Sequence, residues 1–336
     1  MFLYRILHLC TFVLAMFIIV PAFAGSPSGD NRARKLYKEG LQLKKDGRLD
    51  EAQQRFMAAI AVDGAFAAAY IELAGIYRLQ QQPEPAKQQL LILLERSPEH
   101  PAALETLAGI FYEQKAYEDA LTYAYRAQQQ GCRNMHRIIG LSYSYLDHPA
   151  EAIPALENAC KEEPRKADLL CQVARLYAQQ EDYKQSIRYY ELSLQGDSSS
   201  PDVYYELGMM NFNMENYKTA AGAFEQAARL GRPVDADLYL NLGMAHLKQA
   251  AYDDAIRNLL SALALRPKDV QVMTNLANAY YKKQEFKNAI TQWNNILLQQ
   301  PLNGFAMFML GKSYICSGEI ARGQAICDQA LTLGER

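Results

Sequence analysis

The chain has 336 residues, of which 50% are apolar and 21% are charged, so it is long enough for two ordinary domains or one extended array. Its 35 Lys and Arg residues stand against 37 Asp and Glu residues, a formal net charge of −2. This balance lacks the basic excess that neutralising nucleic-acid phosphates demands, so we expect no nucleic-acid partner.

The N-terminus has the layout of a cleavable secretory signal. Arg5 precedes an apolar run, Leu9–Val20, which ends just before a site of the Ala-x-Ala type at 22–24. We therefore predict a signal peptide over residues 1–24, followed by a short flexible segment, 25–32. The predicted location is the periplasm or the exterior of the cell. The alternative is an uncleaved segment that anchors the chain in a membrane.

Small residues recur through the rest of the chain at intervals of 32 to 35 residues. They are Ala52, Ala86, Ala120, Ala152, Ser186, Ala220, Ala255, Ala289 and Gly323. A second series, all Gly or Ala, lies twelve residues before the first, and a mostly aromatic series follows the second by three residues. Antiparallel helices approach to about 8–10 Å only where side chains are small. The pattern therefore predicts helix pairs that cross at the small residues.

Residues that end helices fall between the predicted pairs. Four second helices are expected to end before Pro98, Pro164, Pro267 and Pro301. Gly131, Gly196 and Gly231 offer left-handed caps where proline is absent.

This period, with its small, aromatic, small, Ala and Pro positions, resembles the tetratricopeptide repeat (TPR). The resemblance implies an all-α fold, a right-handed superhelical solenoid of about nine helix-turn-helix repeats over residues 33–336. The pattern delimits the copies 33–66, 67–100, 101–132, 133–166, 167–200, 201–235, 236–269, 270–303 and 304–336. The resemblance also implies that the first helices line a concave groove and that the second helices form the convex back.

Side chains of the first helices that belong to neither the small nor the aromatic series are expected to line the groove. Several are large and apolar, which suits an amphipathic helix or an extended apolar segment of a protein or peptide partner. These candidate groove residues are Tyr205, Met209, Phe212, Leu240, Met244, Leu247, Tyr281, Phe305 and Phe308. The alternative is that they pack against neighbouring copies.

The sequence contains no recognisable catalytic or metal-binding constellation, so we expect no enzyme activity, no metal and no cofactor. The histidines after residue 24 lack the spacing and the carboxylate neighbours of a metal site. Cys160 and Cys171 are symmetric about the turn near Pro164, where antiparallel helices would bring them face to face. A disulfide between them is one hypothesis, and two buried free cysteines are the other.

The leading functional hypothesis is an exported scaffold that binds a protein or peptide through its groove, as a peripheral subunit of a cell-envelope assembly or secretion machine. The alternative is a structural assembly factor that docks through its ends and convex face, and an enzyme ranks third. The last predicted helix carries apolar residues, among them Leu331 and Leu333. We therefore also expect the C-terminal repeat to meet a partner or a second copy of the chain.

Overall fold

A computed structural model describes residues 27–164, 166–197 and 199–334. In these ranges the chain is all-helical, with eighteen α-helices and no β-strand. The predicted signal peptide, 1–24, lies outside the described residues. The described part of the segment predicted to be flexible, 25–32, belongs to the first helix. None of the described helices is both long and apolar enough to cross a membrane.

The helices follow one another with short connections. They are α1 (Pro27–Lys45), α2 (Leu49–Val62), α3 (Ala67–Leu79), α4 (Pro83–Arg96), α5 (Pro101–Glu113), α6 (Tyr117–Gln129), α7 (Met135–Tyr145), α8 (Pro149–Glu162), α9 (Ala167–Gln179), α10 (Tyr183–Gly196), α11 (Pro201–Asn213), α12 (Tyr217–Arg229), α13 (Ala236–Lys248), α14 (Tyr252–Leu265), α15 (Val270–Lys282), α16 (Phe286–Gln299), α17 (Gly304–Cys316) and α18 (Ile320–Gly334). Odd-numbered helices are the first helices of the predicted copies, and even-numbered helices are the second.

The chain divides into two compact units, residues 1–110 and 111–336, with the boundary inside α5. In the first unit, α1 to α4 pack in chain order, each against the next. In the second unit, α6 to α18 do the same. Each unit is therefore a stack of sequentially adjacent helices, which is the arrangement that short connections between antiparallel helices produce.

The small residues predicted at helix crossings lie where the helices of a pair approach most closely. A Cβ atom added to Gly243 on α13 would lie 2.6 Å from Cγ of Leu259 on α14. One added to Gly208 on α11 would lie 2.6 Å from Cε1 of Phe224 on α12. Since atoms that are not bonded to each other cannot approach to such distances, these pairs are packed around a missing side chain.

A left-handed residue stands in every described turn from a first to a second helix. These residues, with φ between 58° and 77° apart from Gly318 at 99°, are Gly47, Gln81, Lys115, Asp147, Glu181, Glu215, Ala250, Gln284 and Gly318. Between pairs, Gly131 and Gly231 are left-handed as predicted, with φ of 80° and 99°. The prediction for Gly196 is wrong: this glycine is the last residue of α10, and an extended Asp197 follows it.

Side-chain caps fix where the last four first helices begin. Ser200, Asp235, Asp269 and Asn303 precede α11, α13, α15 and α17, and each side-chain oxygen accepts a hydrogen bond from a backbone N–H of the first turn. Such caps satisfy donors that have no partner within the helix. The four helices that carry the candidate groove residues therefore start at defined positions.

Candidate functional site

The first helices α11, α13, α15 and α17 all lie in the second unit, and they repeat the same exposure pattern. Three equivalent positions on each helix are half-buried or exposed, and we call them together the first-helix surface. Its members are Met209, Phe212 and Asn213 on α11, Met244, Leu247 and Lys248 on α13, Asn278, Tyr281 and Lys282 on α15, and Lys312, Ile315 and Cys316 on α17.

Side chains of neighbouring first helices contact one another at two points near this surface. On α13, Asn241 Nδ2 lies 3.4 Å from Met209 Sδ of α11 and donates a hydrogen bond of 2.8 Å to the Tyr205 hydroxyl. On α15, the Tyr281 hydroxyl lies 3.6 Å from Cys316 Sγ of α17. Side chains of α11 therefore meet those of α13, and side chains of α15 meet those of α17.

The apolar members on α11 and α13 face both the core and the solvent. Met209 and Phe212 are half-buried against a cluster that includes Leu242 of α13. Met244 and Leu247 are half-buried against the cluster formed with α15. Each of these four side chains packs between copies and still exposes some of its surface, so their place in a groove stays a prediction.

Tyr205 is engaged within the protein. The centroid of its ring lies 5.4 Å from that of the Phe224 ring. The guanidinium carbon of Arg232 lies 3.6 Å from the centroid of the Tyr205 ring. Arg232 in turn donates a hydrogen bond to Asp202. Burial raises the pKa of the Tyr205 hydroxyl. A partner would have to displace Arg232 to reach this ring.

Leu240 belongs to the core rather than to the surface. It is 6% exposed and packs with Val272 and Leu276 of α15. Phe308 occupies the equivalent position on α17 and is 38% exposed. Helix α15 covers Leu240, whereas none of the described helices covers Phe308 in the same way. This position therefore faces the following helix pair, which corrects its assignment to the groove.

Phe305 and Phe308 contribute to a separate apolar patch on the last pair. Phe305 is 57% exposed, and its ring meets the Trp293 ring edge to face at 5.8 Å. Together with Leu302 and Leu331, both phenylalanines line a cleft of about 400 Å³. These two predicted groove residues thus lie beside α18 rather than in line with Met209 and Met244.

Cys160 and Cys171 are both free thiols. Cys160 packs against the cluster that contains Leu169 and Val173, whereas Cys171 is buried in another cluster with Ala174. Burial raises the pKa of the Cys160 thiol to about 11 and also raises that of Cys171. The hypothesised disulfide is therefore absent from this structure, where the two thiols lie in different clusters.

A tyrosine cluster at the start of the second unit was not predicted from the sequence. The rings of Tyr117 and Tyr145 stack at 4.8 Å, with 5° between their planes, and Tyr112 lies 6.3 Å from Tyr145. Burial and the neighbouring tyrosines raise the pKa of Tyr112 to about 12. These residues occupy repeat positions equivalent to Phe212, Tyr217 and Lys248, and only a comparison of those positions along all copies would have found them.

A large cleft lies mainly between second helices. It has a volume of about 880 Å³ and opens between α8 and α10, with Leu170 and Leu192 among its apolar walls. At its edge Glu157 Oε1 accepts hydrogen bonds from the hydroxyls of Tyr177 (2.9 Å) and Tyr189 (2.7 Å). Burial and this carboxylate raise the pKa of Tyr177 to about 12. The second unit thus has a concave feature between α8 and α10 that was not predicted from the sequence.

Within the described ranges, no group of three or more His, Cys, Asp or Glu side chains is arranged so that it could hold a metal ion.

Relatives found by sequence include the following two proteins. The type IV pilus assembly protein PilF of Pseudomonas aeruginosa is 24% identical over 173 residues, which are 50% of this chain and 69% of PilF. The general transcriptional corepressor trfA of Dictyostelium discoideum is 27% identical over 106 residues, which are 31% of this chain and 8% of that protein.

Solved structures with a similar fold share few residues with this chain. YrrB, described as a TPR protein with an unusual peptide-binding site, is 23% identical, with a TM-score of 0.48 over 53% of this chain and 92% of its own. A tetratricopeptide repeat protein from Parabacteroides merdae is 18% identical, with a TM-score of 0.48 over 74% of this chain and 99% of its own.

The sequence pattern of the tetratricopeptide repeat family matches residues 80–131, 139–201, 205–270 and 245–304. These matches cover more than half of the chain, and they fall on consecutive helix pairs of the structure. The chain therefore belongs to the tetratricopeptide repeat family.

Proposed function

We propose that this protein is an exported scaffold that binds a protein or peptide partner through its first-helix surface. The observation that carries the proposal is the row of half-exposed apolar side chains at equivalent positions of α11 and α13: Met209, Phe212, Met244 and Leu247. Exposed apolar residues that lie together, rather than singly, are characteristic of interaction sites. Two of the four are methionines, whose flexible side chains adapt to differently shaped partners.

The form of this row suits a segment rather than a small molecule. It crosses two neighbouring helices, so a bound chain would run across them and place side chains on each in turn. Asn241 lies on α13 and Asn278 on the next first helix, α15, and amides of this kind can pair with the backbone of an extended segment. In this proposal the surface is part of the concave groove of an array of nine copies with the limits predicted above.

The proposed setting is the cell envelope. Two observations support it: the signal-like layout of residues 1–24 and the sequence likeness to PilF, a type IV pilus assembly protein. The protein would then serve, after signal cleavage, as a peripheral subunit of an envelope assembly or secretion machine. The mass of the protein isolated from cells tests export, since cleavage leaves a chain that begins at Gly25.

Site-specific photo-crosslinking tests the surface. The photoreactive residue p-benzoylphenylalanine would replace Met209 or Met244 on the first helices, and Leu260 on α14 as the matched control. Leu260 is 44% exposed and belongs to a second helix. We expect one shared crosslinked partner at Met209 and Met244 and none at Leu260. Crosslinks of equal yield at all three positions would contradict a site on the first helices.

The second candidate function is docking through the back of the array. The cleft between α8 and α10 favours it, because it has a volume of about 880 Å³ and carries both apolar walls and charged side chains. A photoreactive residue at Leu192, which lines this cleft, distinguishes the two functions. A partner crosslinked from Leu192 and not from Met209 would favour a structural assembly factor.

Self-association is a further proposal for the last pair. Leu302 and Leu331 are 78% and 61% exposed beside Phe305, and a patch of this kind is a candidate contact between copies. Sedimentation of the wild type and of Leu331→Glu tests it. A concentration-dependent dimer that the substitution abolishes supports self-association, and a monomer at all concentrations contradicts it.

A further inference from the structure

The cleft between α8 and α10 has the size of a small-molecule site. Helix α9 packs against both α8 and α10, and Leu170, near the start of α9, contributes to the wall of the cleft. The volume of about 880 Å³ falls within the range of about 300–1,000 Å³ that is usual for such sites. The cleft can therefore hold a ligand much smaller than a protein.

Part of the wall is apolar. Leu170 is 8% exposed, Leu192 on α10 is half-buried, and Pro164 lies beside them. Burial raises the pKa of the Cys160 thiol to about 11, so this side chain is neutral at ordinary pH and adds to the apolar surface. An apolar chain would lose its contact with water here, which favours binding.

The carboxylate in the cleft is already occupied. Oε1 of Glu157 accepts hydrogen bonds from the hydroxyls of Tyr177 and Tyr189. Lys161 lies four residues after Glu157 on α8, the spacing at which a Glu–Lys pair forms readily on a helix. Lys161 instead donates a hydrogen bond of 3.0 Å to the side chain of Asn158. The tyrosines thus hold Glu157 away from Lys161.

A second cation, Arg188 on α10, also lines the cleft. Its guanidinium donates a hydrogen bond of 3.4 Å to Gln185 on the same helix. Within the part of the chain that the structure describes, neither Lys161 nor Arg188 lies within ion-pairing distance of a carboxylate. We call these two exposed side chains the cationic rim of the cleft.

Other carboxylates at the end of α8 and the start of α9 have partners elsewhere. Glu162 Oε1 lies 2.8 Å from Nδ1 of His136, Glu163 pairs with Lys166 at 3.4 Å, and Asp168 pairs with Arg137 at 3.3 Å. They do not compensate the cationic rim.

Helix position accounts for only one of the two rim residues. Lys161 is close to the C-terminal end of α8, where a cation interacts favourably with the helix dipole. Arg188 lies in the interior of α10, where that interaction is absent. Unpaired cations beside an apolar wall are complementary to a molecule that carries an anionic group on an apolar chain.

We propose that the cleft between α8 and α10 binds an anionic amphiphile, whose apolar chain lies against Leu170 and Leu192 and whose oxyanion head meets the cationic rim. The head is a carboxylate, as in a fatty acid, or a phosphate, as in a single-chain phospholipid. This ligand site is separate from the first-helix surface, so the inference goes beyond the proposed function and does not depend on it.

Displacement of a fluorescent fatty acid tests the proposal on the full chain. The probe is dansylamino-undecanoic acid, whose emission rises in an apolar site. The competitors are decanoate, decyl phosphate and uncharged decanol, each at concentrations at which it is monomeric. We expect both anions to displace the probe and decanol to do so at least about tenfold more weakly. The stronger of the two anions identifies the head.

Chain length tests the apolar wall. In the series octanoate, decanoate and dodecanoate, affinity should rise about three- to fourfold for each CH₂ group that enters the cleft. Affinity that does not change with chain length would contradict an apolar subsite.

Two charge-reversal variants test the position of the head. Lys161→Glu/Arg188→Glu reverses the rim, and the matched control Lys184→Glu/Lys218→Glu reverses two exposed lysines of α10 and α12 outside the cleft. Both variants change the net charge equally. We expect the rim variant to bind decanoate at least about tenfold more weakly than the control does.

Alkylation of cysteines locates the ligand in the wild type, without any substitution. Cys160 lines the cleft, whereas Cys316 is exposed on α17. Decanoate should slow the reaction of Cys160 with iodoacetamide at pH of about 9 and leave that of Cys316 unchanged, as peptide mass spectrometry would show.

Three results would overturn the inference. They are equal displacement by decanol and the anions, an equal loss of affinity in both variants, and an unprotected Cys160 at saturating decanoate. If the wild type bound no probe while a protein crosslinked from Leu192, the cleft would be a protein-docking site and the inference would be wrong. None of these results bears on peptide binding by the first-helix surface.

Discussion

Gly311 on α17 provides the sharpest test of how closely a helix pair is packed. A Cβ atom added there would lie 2.5 Å from Cys327 Sγ, 2.7 Å from the backbone oxygen of Gly323 and 2.9 Å from the backbone nitrogen of Cys327, all on α18. Rotation of a side chain relieves only the first of these contacts. The substitution Gly311→Ala therefore has to push α17 and α18 apart.

The magnitude follows from two opposing effects. Overpacking of a tight interface costs about 1–3 kcal/mol, and replacing a helical glycine by alanine gains about 1 kcal/mol in helix propensity. We expect Gly311→Ala to lower the free energy of unfolding by up to about 2 kcal/mol. The matched control is Gly222→Ala on α12, where an added Cβ meets nothing within 4 Å. That variant should be more stable than the wild type by about 0.5–1 kcal/mol.

Urea denaturation followed by tryptophan fluorescence measures the difference. Trp293 is the single tryptophan of the chain, and it packs in one cluster with Leu310 and Tyr314 of α17. Its signal therefore reports the region that the Gly311 substitution perturbs. A midpoint for Gly311→Ala that rises as much as that of Gly222→Ala would show that α17 and α18 are not as close as the structure places them.

Three further predictions concern packing, charge and turns. Leu240→Ala should destabilise the protein by about 2–5 kcal/mol and Phe308→Ala by less than about 1 kcal/mol, because only Leu240 is covered by the next pair; equal losses in urea denaturation would reject this difference. Since hydrogen bonds from Arg266 lower the pKa of Asp237, the stability that this pair adds is complete above the unfolded pKa of about 3.9 and is lost as the pH falls through the lowered value. NMR titration should show the pKa of Asp237 rising in Arg266→Gln, and an unchanged value would exclude the pair. Ala250→Gly should stabilise the protein by about 1 kcal/mol, because Ala250 has a φ of 60° that costs a non-glycine residue about that much; a lower unfolding midpoint would contradict the left-handed turn.

The helix pairs could be predicted from the sequence because their determinants are local and repeated. Small residues at positions such as Gly208 and Ala220 recur with one period, and helices cross closely only where side chains are small. The same repetition marks the ends of helices, as Gly131 and Gly231 show. A signal that recurs in every copy can be recognised even where single copies depart from it.

Turn conformation could not be predicted in the same way. Seven of the nine left-handed residues between first and second helices are not glycine. The residue type therefore does not indicate a left-handed conformation at positions such as Ala250 and Gln284. The surrounding helices impose the conformation there, and its cost is offset by tertiary packing. Gly196 illustrates the converse, since a glycine after a predicted helix was simply its last residue.

The candidate site was only partly predictable, because exposure depends on the neighbouring pair. Leu240 and Phe308 occupy equivalent positions and both look like groove residues in the sequence, yet only Leu240 is buried. Single-sequence patterns identify the face of a helix but not what covers it.

The most direct test of binding through the first-helix surface is the affinity of the crosslinked partner for two double variants, measured by calorimetry. Met209→Glu/Met244→Glu places charges in the apolar row, while Leu260→Glu/Leu265→Glu places them on α14, where both leucines are exposed. Melting temperatures confirm that both variants are folded. We expect the first variant to lose at least about tenfold in affinity, as interface residues that carry binding do, and the second to bind like the wild type. Equal affinities in both variants would contradict a binding site on the first helices.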